Sequence, residues 1–260
     1  IGLGYIGLPT AAVLAAEGND VLGVDTNQSV VDIINQGKIH IVEPGLEEVV
    51  FETVNSGKLI AKTSPETSDV FLIAVPTPCK SSKTSIPEPS IEYVLEASKV
   101  IASVIKKGDL ILLESTSPVG TTEKIANLIS NLSGLTTEDF YVSYCPERVF
   151  PGKVLYEIVN NDRLVGGFNQ KASDYGSNFY NTFCKGKVYK TSARTAELSK
   201  LTENAFRDVN IAFANELSMV CDELNIEVRE LIKLVNCHPR VNVLQPGCGV
   251  GGHCIAVDPW

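Results

Sequence analysis

The sequence lacks the features that indicate a membrane or a nucleic-acid partner. None of its apolar stretches reaches the roughly 18 consecutive residues that a transmembrane helix needs. Lysine and arginine form no dense run, and the formal net charge is -9 at pH 7. Nucleic acids and anionic membranes bind surfaces that are rich in positive charge. We therefore expect a cytoplasmic protein that binds neither and that holds any anionic ligand through local contacts.

The sequence also lacks a disulfide framework. Its seven cysteines are odd in number and irregular in spacing, which favours reduced thiols in the cytoplasm. Five residues of zinc-ligand type lie near the end of the sequence, but they form neither a C-x-x-C pair nor an H-x(3–5)-H pair. We predict no metal site, and zinc remains the alternative for this group, which comprises Cys237, His238, Cys248, His253 and Cys254.

Short apolar runs alternate with amphipathic segments along the first part of the chain. The runs at residues 21–24, 70–75, 110–113 and 141–144 predict buried strands with helices between them. This alternation implies right-handed crossovers, and hence a Rossmann-type α/β fold with a doubly wound parallel sheet. Ligands of such sheets bind at the carboxyl ends of the strands. We assign residues 1–190 to this domain.

The chain changes character after residue 190. Residues 195–224 contain neither Gly nor Pro and carry apolar residues at helical spacing, so they predict one long helix. A second helix is predicted at residues 227–236. The glycine-rich segment at residues 237–260 is typical of a loop whose backbone approaches a ligand closely. We assign residues 191–260 to the long linker helix and the start of an α-helical central domain.

A glycine-rich turn near residue 1 predicts a dinucleotide site. Gly2, Gly4 and Gly7 form the pattern G-x-G-x-x-G ahead of a helical segment, and Asp25 ends the next strand about 20 residues on. A pyrophosphate can lie against the amides of such a turn, and the acid can accept hydrogen bonds from a ribose diol. Tight packing of a helix on a strand would explain the glycines alone, but not Asp25. The carboxylate would repel a 2′-phosphate, so the predicted cofactor is NAD rather than NADP.

Two more turns follow predicted strands and would line the same edge of the sheet. The first contains Pro76 and Thr77, and the second contains Ser115 and Thr116. Ordinary turn chemistry explains both segments equally well. The predicted cofactor contacts are Gly2, Gly4, Tyr5, Ile6, Gly7, Asp25, Pro76, Thr77, Ser115 and Thr116.

Cys254 lies among glycines in the segment 247–258. A thiol becomes nucleophilic when its thiolate is stabilised, and amides beside glycines can do this while the sulfur stays accessible. Buried, inert cysteine is the commoner fate of this residue type. The residues alone therefore leave both interpretations open.

Lys200 and Asn204 lie four residues apart on the predicted long helix and so share one face. A solvated polar stripe is the simpler interpretation. The functional alternative is that the ammonium and the amide together hold an alkoxide oxygen beside a nicotinamide.

Seven segments spread along the whole chain resemble the UDP-glucose/GDP-mannose dehydrogenase family, and the resemblance is closest to its UDP-N-acetylmannosamine members. They are GLGYIGLPT at 2–10, ESTSPVG at 114–120, YCPER at 144–148, NDR at 161–163, ELSKLTEN at 197–204, HPRVN at 238–242 and GGHCIAVDPW at 251–260.

The resemblance implies a four-electron oxidation that uses two NAD in succession. The C6 hydroxyl of UDP-N-acetyl-D-mannosamine would become a carboxylate, giving a precursor of surface polysaccharides. Lys200 and Asn204 would hold the C6 oxygen, with Asp258 assisting proton transfer. Cys254 would capture the aldehyde as a thiohemiacetal, which a second oxidation converts to a thioester.

The resemblance also implies further site residues. Thr116 and Glu147 match the positions that place and activate the hydrolytic water, and Arg148 matches a position associated with N-acetylhexosamine substrates. A homodimer is expected through the long helix. The implied substrate contacts are Arg148, Lys200, Asn204, Arg240, Asn242 and Gly251.

Other functions stay open at this stage. UDP-N-acetylglucosamine or UDP-glucose could replace the mannosamine substrate. A two-electron hydroxyacid dehydrogenase is the nearest rival enzyme, and a dinucleotide- or zinc-binding regulatory module is the non-enzymatic rival. By comparison with the family, we also expect a strand ahead of Ile1 and a UDP-binding domain after Trp260.

Overall fold

The computed structural model describes residues 1–80, 87–252 and 254–260, which form two compact units. The first unit comprises Ile1–Pro78 and Pro89–Leu198, and the second comprises Cys79–Glu88 and Ser199–Trp260.

Strands and helices alternate through most of the described chain. The strands are β1 (Val21–Val24), β2 (Leu59–Lys62), β3 (Val70–Ile73), β4 (Cys79–Lys80), β5 (Glu88–Pro89), β6 (Leu110–Leu113), β7 (Tyr141–Tyr144), β8 (Arg163–Gly167) and β9 (Val188–Ser192). The helices are α1 (Gly7–Ala16), α2 (Gln28–Asn35), α3 (Leu46–Asn55), α4 (Glu92–Ala102), α5 (Thr121–Ser133), α6 (Val154–Asn160), α7 (Gln170–Tyr180), α8 (Ala193–Glu223) and α9 (Val228–Val235).

The strands of the first unit form a five-stranded sheet in the order β3-β6-β7-β8-β9 and a parallel pair, β1-β2. Residues beside the glycine turn join the two sheets. The carbonyl of Ile1 accepts a hydrogen bond from the N–H of Ala74, just beyond β3, and the N–H of Gly2 donates to the carbonyl of Val24 in β1. The glycine turn therefore lies between the two sheets, at the carboxyl ends of β1 and β3.

One strand pair departs from the parallel order of the sheet. β3, β6 and β7 are parallel, but β8 pairs with β7 in the antiparallel direction, with Ser143 opposite Gly167 and Tyr144 opposite Gly166. The connection at residues 145–162 returns to the edge at which β7 ends, so β8 starts there. As a result, the first residue of β8 lies beside the carboxyl end of β7.

The core of the first unit is built on both faces of β6. Ile111 and Leu113 face a cluster that includes apolar residues of α4 and α5, whereas Leu110 and Leu112 face a cluster with residues from α1, α6 and α7. Successive side chains of a strand point to opposite faces, so a strand covered on both sides is apolar throughout. Each fully buried leucine or isoleucine contributes about 1.5–3 kcal/mol to folding.

Local signals set several helix ends. The side chain of Asn27 accepts a hydrogen bond from the N–H of Ser29 at the start of α2, and Asn169 accepts one from the N–H of Ala172 at the start of α7. Helix α5 ends at Ser133 and is followed by Gly134, whose positive φ of 76° suits glycine. The two asparagine N-caps contribute about 1 kcal/mol each because each satisfies an otherwise unpaired donor.

The second unit contains the larger part of α8, then α9 and the glycine-rich segment. Asn236, after α9, donates to the carbonyl of Val243 and accepts from its N–H, which closes the loop that follows the helix. The side chain of Asn215 on α8 accepts a hydrogen bond from the N–H of Gly247. The glycine-rich segment is thus tied to the helix by a side-chain contact.

The predicted α/β fold with a parallel sheet and a long helix is confirmed. The strands at Val21–Val24, Leu110–Leu113 and Tyr141–Tyr144 have the predicted bounds, and the strand predicted at residues 70–75 ends at Ile73. Within the described ranges, every helix is too short or too polar to cross a bilayer.

Candidate functional site

The glycine turn is built so that two of its glycines cannot carry a side chain. Gly2 has a φ of +89°, and a Cβ there would lie 2.6 Å from the carbonyl oxygen of Ala74. A Cβ on Gly7 would lie 1.7 Å from the carbonyl oxygen of Gly2, because α1 starts directly against the turn. Both glycines are therefore required by the packing of the turn itself.

Gly4 is different, because open space surrounds the position where its Cβ would be: the nearest non-neighbouring atoms in the described chain lie more than 4 Å away. At the adjacent N-terminus of α1, the N-cap residue Ile6 provides no side-chain cap. The first turn of a helix carries unpaired N–H groups and a partial positive charge. The turn therefore has both the room and the donors that a pyrophosphate needs.

Asp25 is held in a fixed orientation beside this turn. Its Oδ2 accepts a hydrogen bond of 3.0 Å from the N–H of Leu3, and its Oδ1 accepts one of 2.9 Å from the N–H of Asn27. Each oxygen of a carboxylate can accept a second hydrogen bond. The carboxylate is thus aligned for a ribose diol, and the residues present fit a dinucleotide without a 2′-phosphate.

A serine links the two other predicted cofactor turns. The hydroxyl of Ser115, after β6, donates to the carbonyl of Val75, after β3, at 2.8 Å. Pro76 and Thr77 follow Val75 directly, and Thr116, which is half-buried, follows Ser115. The structure therefore brings both turns together at the carboxyl ends of neighbouring strands.

The loop after Ser115 is anchored by Glu197, which lies in the first turns of α8 and is fully buried. Its Oε2 accepts from the N–H of Gly120 at 2.6 Å, and its Oε1 accepts from the N–H and the hydroxyl of Thr122 at 2.8 and 2.7 Å. A carboxylate at the N-terminus of α5 also offsets the helix dipole. The sequence predicts no role for Glu197, because its partners lie more than 70 residues earlier in the chain.

Glu147 lies in a buried cluster of charged groups beyond the end of β7. Its Oε2 lies 3.2 Å from Nη1 of Arg163, which is the first residue of β8. The same Arg163 atom lies 3.9 Å from Oε1 of Glu114, and that oxygen accepts a hydrogen bond of 2.8 Å from the hydroxyl of Tyr180. Two carboxylates therefore share one guanidinium.

Burial controls the protonation of this cluster. The pKa of Glu114 is raised to about 7, first by burial and then by the negative charge of Glu147, while Arg163 and Tyr180 partly oppose the rise. Burial also raises the pKa of the Cys145 thiol to about 12, so that thiol stays protonated. The sequence predicts no role for Glu114, Arg163 or Tyr180, because residues this far apart in the chain are brought together only by the arrangement of the strands and helices.

Arg148 follows Glu147 and contacts residues of its own loop. Its backbone N–H donates to Oε1 of Glu147 at 2.7 Å, and its guanidinium donates to the carbonyl of Asp162 at 2.8 Å. Both contacts tie the predicted substrate residue to its own loop.

The second unit brings three of the predicted catalytic residues together. Lys200 and Asn204 are both buried, and Nδ2 of Asn204 donates a hydrogen bond of 2.5 Å to Oδ2 of Asp258. Burial raises the pKa of Asp258, while the hydrogen bond from Asn204 and the charge of Lys200 act against the rise. A buried lysine and asparagine are incompatible with a stripe exposed to solvent.

Cys254 starts the turn that carries Asp258. Its carbonyl accepts hydrogen bonds from the N–H groups of Val257 at 3.0 Å and of Asp258 at 2.8 Å, which form a single helical turn. The Cys254 side chain is exposed, whereas Cys145 and Cys221 are buried. The thiol is therefore accessible, and it lies one turn before the carboxylate that contacts Asn204.

The remaining predicted substrate residues lie on the surface of the second unit. All three are exposed: Arg240, Asn242 and Gly251. None of them takes part in the hydrogen bond between Asn204 and Asp258. Thr116 and Glu147 belong to the first unit, whereas Cys254 belongs to the second. Among the described residues, no three His, Cys, Asp or Glu side chains are grouped to hold a metal ion; His253 falls outside those residues.

Comparison with known proteins places this chain among nucleotide-sugar dehydrogenases. Residues 1–184 match the NAD-binding domain of the UDP-glucose/GDP-mannose dehydrogenase family, and residues 194–260 match its central domain. The UDP-N-acetyl-D-mannosamine dehydrogenase of Campylobacter jejuni is 59% identical across 100% of this chain and 65% of its own length. An NDP-N-acetyl-D-galactosaminuronic acid dehydrogenase of Ralstonia nicotianae is 56% identical across 100% of this chain and 62% of its own length.

A solved structure shows the same architecture. The UDP-D-ManNAc dehydrogenase of Pyrococcus horikoshii superimposes with a TM-score of 0.95 at 45% identity, covering 99% of this chain and 62% of the other. The chain thus spans between 62% and 65% of the length of these relatives.

Proposed function

Because the chain belongs to the UDP-glucose/GDP-mannose dehydrogenase family, we propose that it is the catalytic part of an enzyme that oxidises the C6 hydroxyl of UDP-N-acetyl-D-mannosamine to a carboxylate. The observation that carries this proposal is the contact between Asn204 and Asp258 beside Lys200, with an accessible Cys254 one helical turn before Asp258. In this set, Lys200 and Asn204 can bind the substrate oxygen, Asp258 can accept a proton, and Cys254 can act as the nucleophile.

The residues of the first unit would hold NAD. The open backbone at Gly4 and the N-terminus of α1 would bind the pyrophosphate, and Asp25 would accept hydrogen bonds from the adenosine ribose. Tyr5, Ile6, Pro76, Thr77 and Ser115 would complete the contacts. When bound, NAD accepts a hydride from C6 in each of the two oxidations.

Lys200, Asn204 and Asp258 would act in the first oxidation. Nδ2 of Asn204 carries two hydrogens, so it can donate to Asp258 and to the C6 oxygen at once. The ammonium of Lys200 stabilises the negative charge that develops on this oxygen as hydride leaves C6. The raised pKa of Asp258 suits a group that accepts the hydroxyl proton through water.

Cys254 would make the second oxidation possible. Its thiolate forms a bond to the aldehyde carbon, and the oxygen takes a proton to give a thiohemiacetal. This carbon then loses a hydride and the oxygen loses its proton, which leaves a thioester. The covalent link keeps the reactive aldehyde in position between the two oxidations.

Hydrolysis would complete the reaction. Thr116 would position a water molecule, and the carboxylate of Glu147 would take one of its protons as the water oxygen bonds to the acyl carbon. The carbon–sulfur bond breaks and returns the thiolate of Cys254, while the product acid ionises to the uronate. Arg148, Arg240, Asn242 and Gly251 are the proposed substrate contacts.

A homodimer in the cytoplasm is the proposed state of the enzyme. Several large apolar side chains on α8 are exposed, including Phe206, Val209, Phe213 and Val220. Their spacing places them along one side of a helix. Covering such a stripe removes apolar area from water, which favours a second copy of the same helix as partner.

Counting the NADH formed per sugar tests this function. The full-length protein should yield two NADH and one uronic acid per UDP-N-acetyl-D-mannosamine, and Cys254→Ser should abolish uronate formation. One NADH per substrate would instead support the two-electron hydroxyacid dehydrogenase. Stoichiometric zinc bound through Cys254 would support the regulatory module.

Substrate preference requires a separate comparison. UDP-N-acetylmannosamine, UDP-N-acetylglucosamine, UDP-glucose and UDP-N-acetylgalactosamine should be compared by kcat/KM. The proposed preference predicts the highest value for the first, and a higher value for any other would reassign the substrate.

A further inference from the structure

We propose that Arg163 is a positioning residue that orients Glu147 for thioester hydrolysis, and that Glu114 and Tyr180 hold Arg163 in the position this requires. This inference rests on the proposed function, because it concerns the last step of that reaction. It assigns a role to three buried residues of the first unit, Arg163, Glu114 and Tyr180.

The direction of β8 brings Arg163 to Glu147. β8 is antiparallel to β7, with Tyr144 opposite Gly166. The same register, continued along both chains, sets Arg163 opposite Glu147. A parallel β8 would instead start at the far edge of the sheet, so the reversal of a single strand creates this pair.

Arg163 is held from three sides. It is 4% exposed, its Nη1 lies 3.2 Å from Oε2 of Glu147, and its Nη2 donates to the carbonyl of Ile158 at 3.0 Å. The guanidinium carbon also lies 4.8 Å from the centre of the Tyr180 ring. The planar fork of arginine can satisfy these contacts simultaneously, whereas the point charge of lysine cannot.

Glu147 receives a donor on each carboxylate oxygen. Oε2 faces Arg163, and Oε1 accepts the N–H of Arg148. These two donors fix the plane of the carboxylate. A general base needs this orientation as well as its charge, since a misplacement of about 1 Å can cost roughly 100-fold in rate.

Glu114 gives the cluster its charge balance. One guanidinium cannot neutralise two buried carboxylates, and Oε2 of Glu114 is buried without a hydrogen-bond partner among the described residues. The raised pKa of Glu114 makes it the carboxyl that binds a proton near neutral pH. The charge of Arg163 is then available to Glu147, and the hydroxyl of Tyr180 donates to Oε1 of Glu114, which holds that carboxyl beside Arg163.

The test separates hydrolysis from the two oxidations in the full-length protein. Arg163→Gln should still release a burst of two NADH per subunit with UDP-N-acetylmannosamine, while steady-state kcat falls roughly 10- to 100-fold. Mass spectrometry of acid-quenched protein should then find the sugar acyl group on the peptide that contains Cys254. Arg163→Lys should give an intermediate kcat with the same adduct. Arg194→Gln, which removes an exposed ion pair with Glu123, should match the wild type.

Each contrary result has its own meaning. If burst and steady-state rates fall together in both Arg163 variants and no adduct accumulates, Arg163 is purely structural and the inference is wrong. Should Arg163→Gln fail to fold, Arg163→Lys decides between the same two outcomes. Glu147→Gln tests the role of Glu147 itself separately from the role of Arg163. If the adduct accumulates in Glu147→Gln but not in the Arg163 variants, only the inference about Arg163 is overturned. A single NADH per sugar in the wild type overturns the proposed function as well.

Discussion

The buried carboxylate of Glu197 accepts hydrogen bonds from both the backbone N–H and the hydroxyl of Thr122. A third bond, from the N–H of Gly120, fixes the loop that carries Thr116 to the start of α5. The relationship links a residue of α8 to the edge of the sheet where the cofactor is proposed to bind.

Removing this carboxylate should destabilise the protein. Glu197→Ala leaves three buried donors unpaired, and we expect a loss of roughly 3 kcal/mol or more in the free energy of unfolding, measured with urea. Glu197→Gln keeps part of the bonding and should lose less. The matched control is Glu96→Ala, which removes only an exposed ion pair with Lys99 and should change stability by less than about 1 kcal/mol. Equal losses for the two alanine variants would contradict the anchoring role.

The glycine turn allows folding and cofactor binding to be separated. Gly4→Ala places a methyl group in open space, so stability should change little while NAD binding weakens by about 1–3 kcal/mol. Gly7→Ala forces a methyl group onto the carbonyl of Gly2 and should cost roughly 3 kcal/mol or more in stability. Thermal melting and calorimetric NAD titration measure the two effects. Unchanged NAD affinity in Gly4→Ala would place the pyrophosphate elsewhere.

Asp25 should determine the preference for NAD over NADP. Asp25→Asn retains an oxygen for the N–H of Leu3 but removes the negative charge. We expect NAD affinity to fall about 10-fold and NADP affinity to rise, since the repulsion of the 2′-phosphate is lost. Asp20→Asn, at an exposed ion pair with Lys58, should leave both affinities unchanged. A preference that survives in Asp25→Asn would show that other residues discriminate.

Glu114 should make stability depend on pH between about 4.5 and 7. Its pKa is raised in the folded state, so over this window the folded protein retains a proton that the unfolded chain has lost. Stability therefore decreases as pH rises through the window, by at most about 1.4 kcal/mol per pH unit, and the loss is complete above the folded pKa. Glu114→Gln should remove this component. Urea denaturation at pH 5, 6 and 7 tests it, and parallel pH profiles for the two proteins would disprove it.

The positions of several strands and of the long helix could be predicted from the sequence, because the signals for these elements are local. The strand at Leu110–Leu113 is four apolar residues, and α8 lacks the residues that break helices. The direction of β8 was not predictable in this way. Residues 163–167 carry no sequence feature that distinguishes a parallel from an antiparallel partner, since direction depends on how the preceding connection crosses the sheet.

In the candidate site too, the residues with a local sequence pattern were predictable, and those defined by long-range contacts were not. Gly2, Gly7 and Asp25 follow a pattern of fixed spacing, so sequence reasoning found them. The face shared by Lys200 and Asn204 was also evident, but Asp258 was added only by resemblance, because a contact between residues 54 positions apart has no local signal. Arg163 and Glu114 were missed for the same reason, as their partners are determined by strand order.

The coverage of β6 on both faces has a consequence for the newly made chain. Its register pairs Val70 with Leu110 and Leu110 with Tyr141, so neighbouring strands must wait until distant parts of the chain have been synthesised. Until α4 and α5 cover one side and α1 and α7 the other, four consecutive apolar residues without charge remain open to contact with other chains. Aggregation during synthesis should therefore begin at this strand, and slower expression at lower temperature should improve the yield of folded protein.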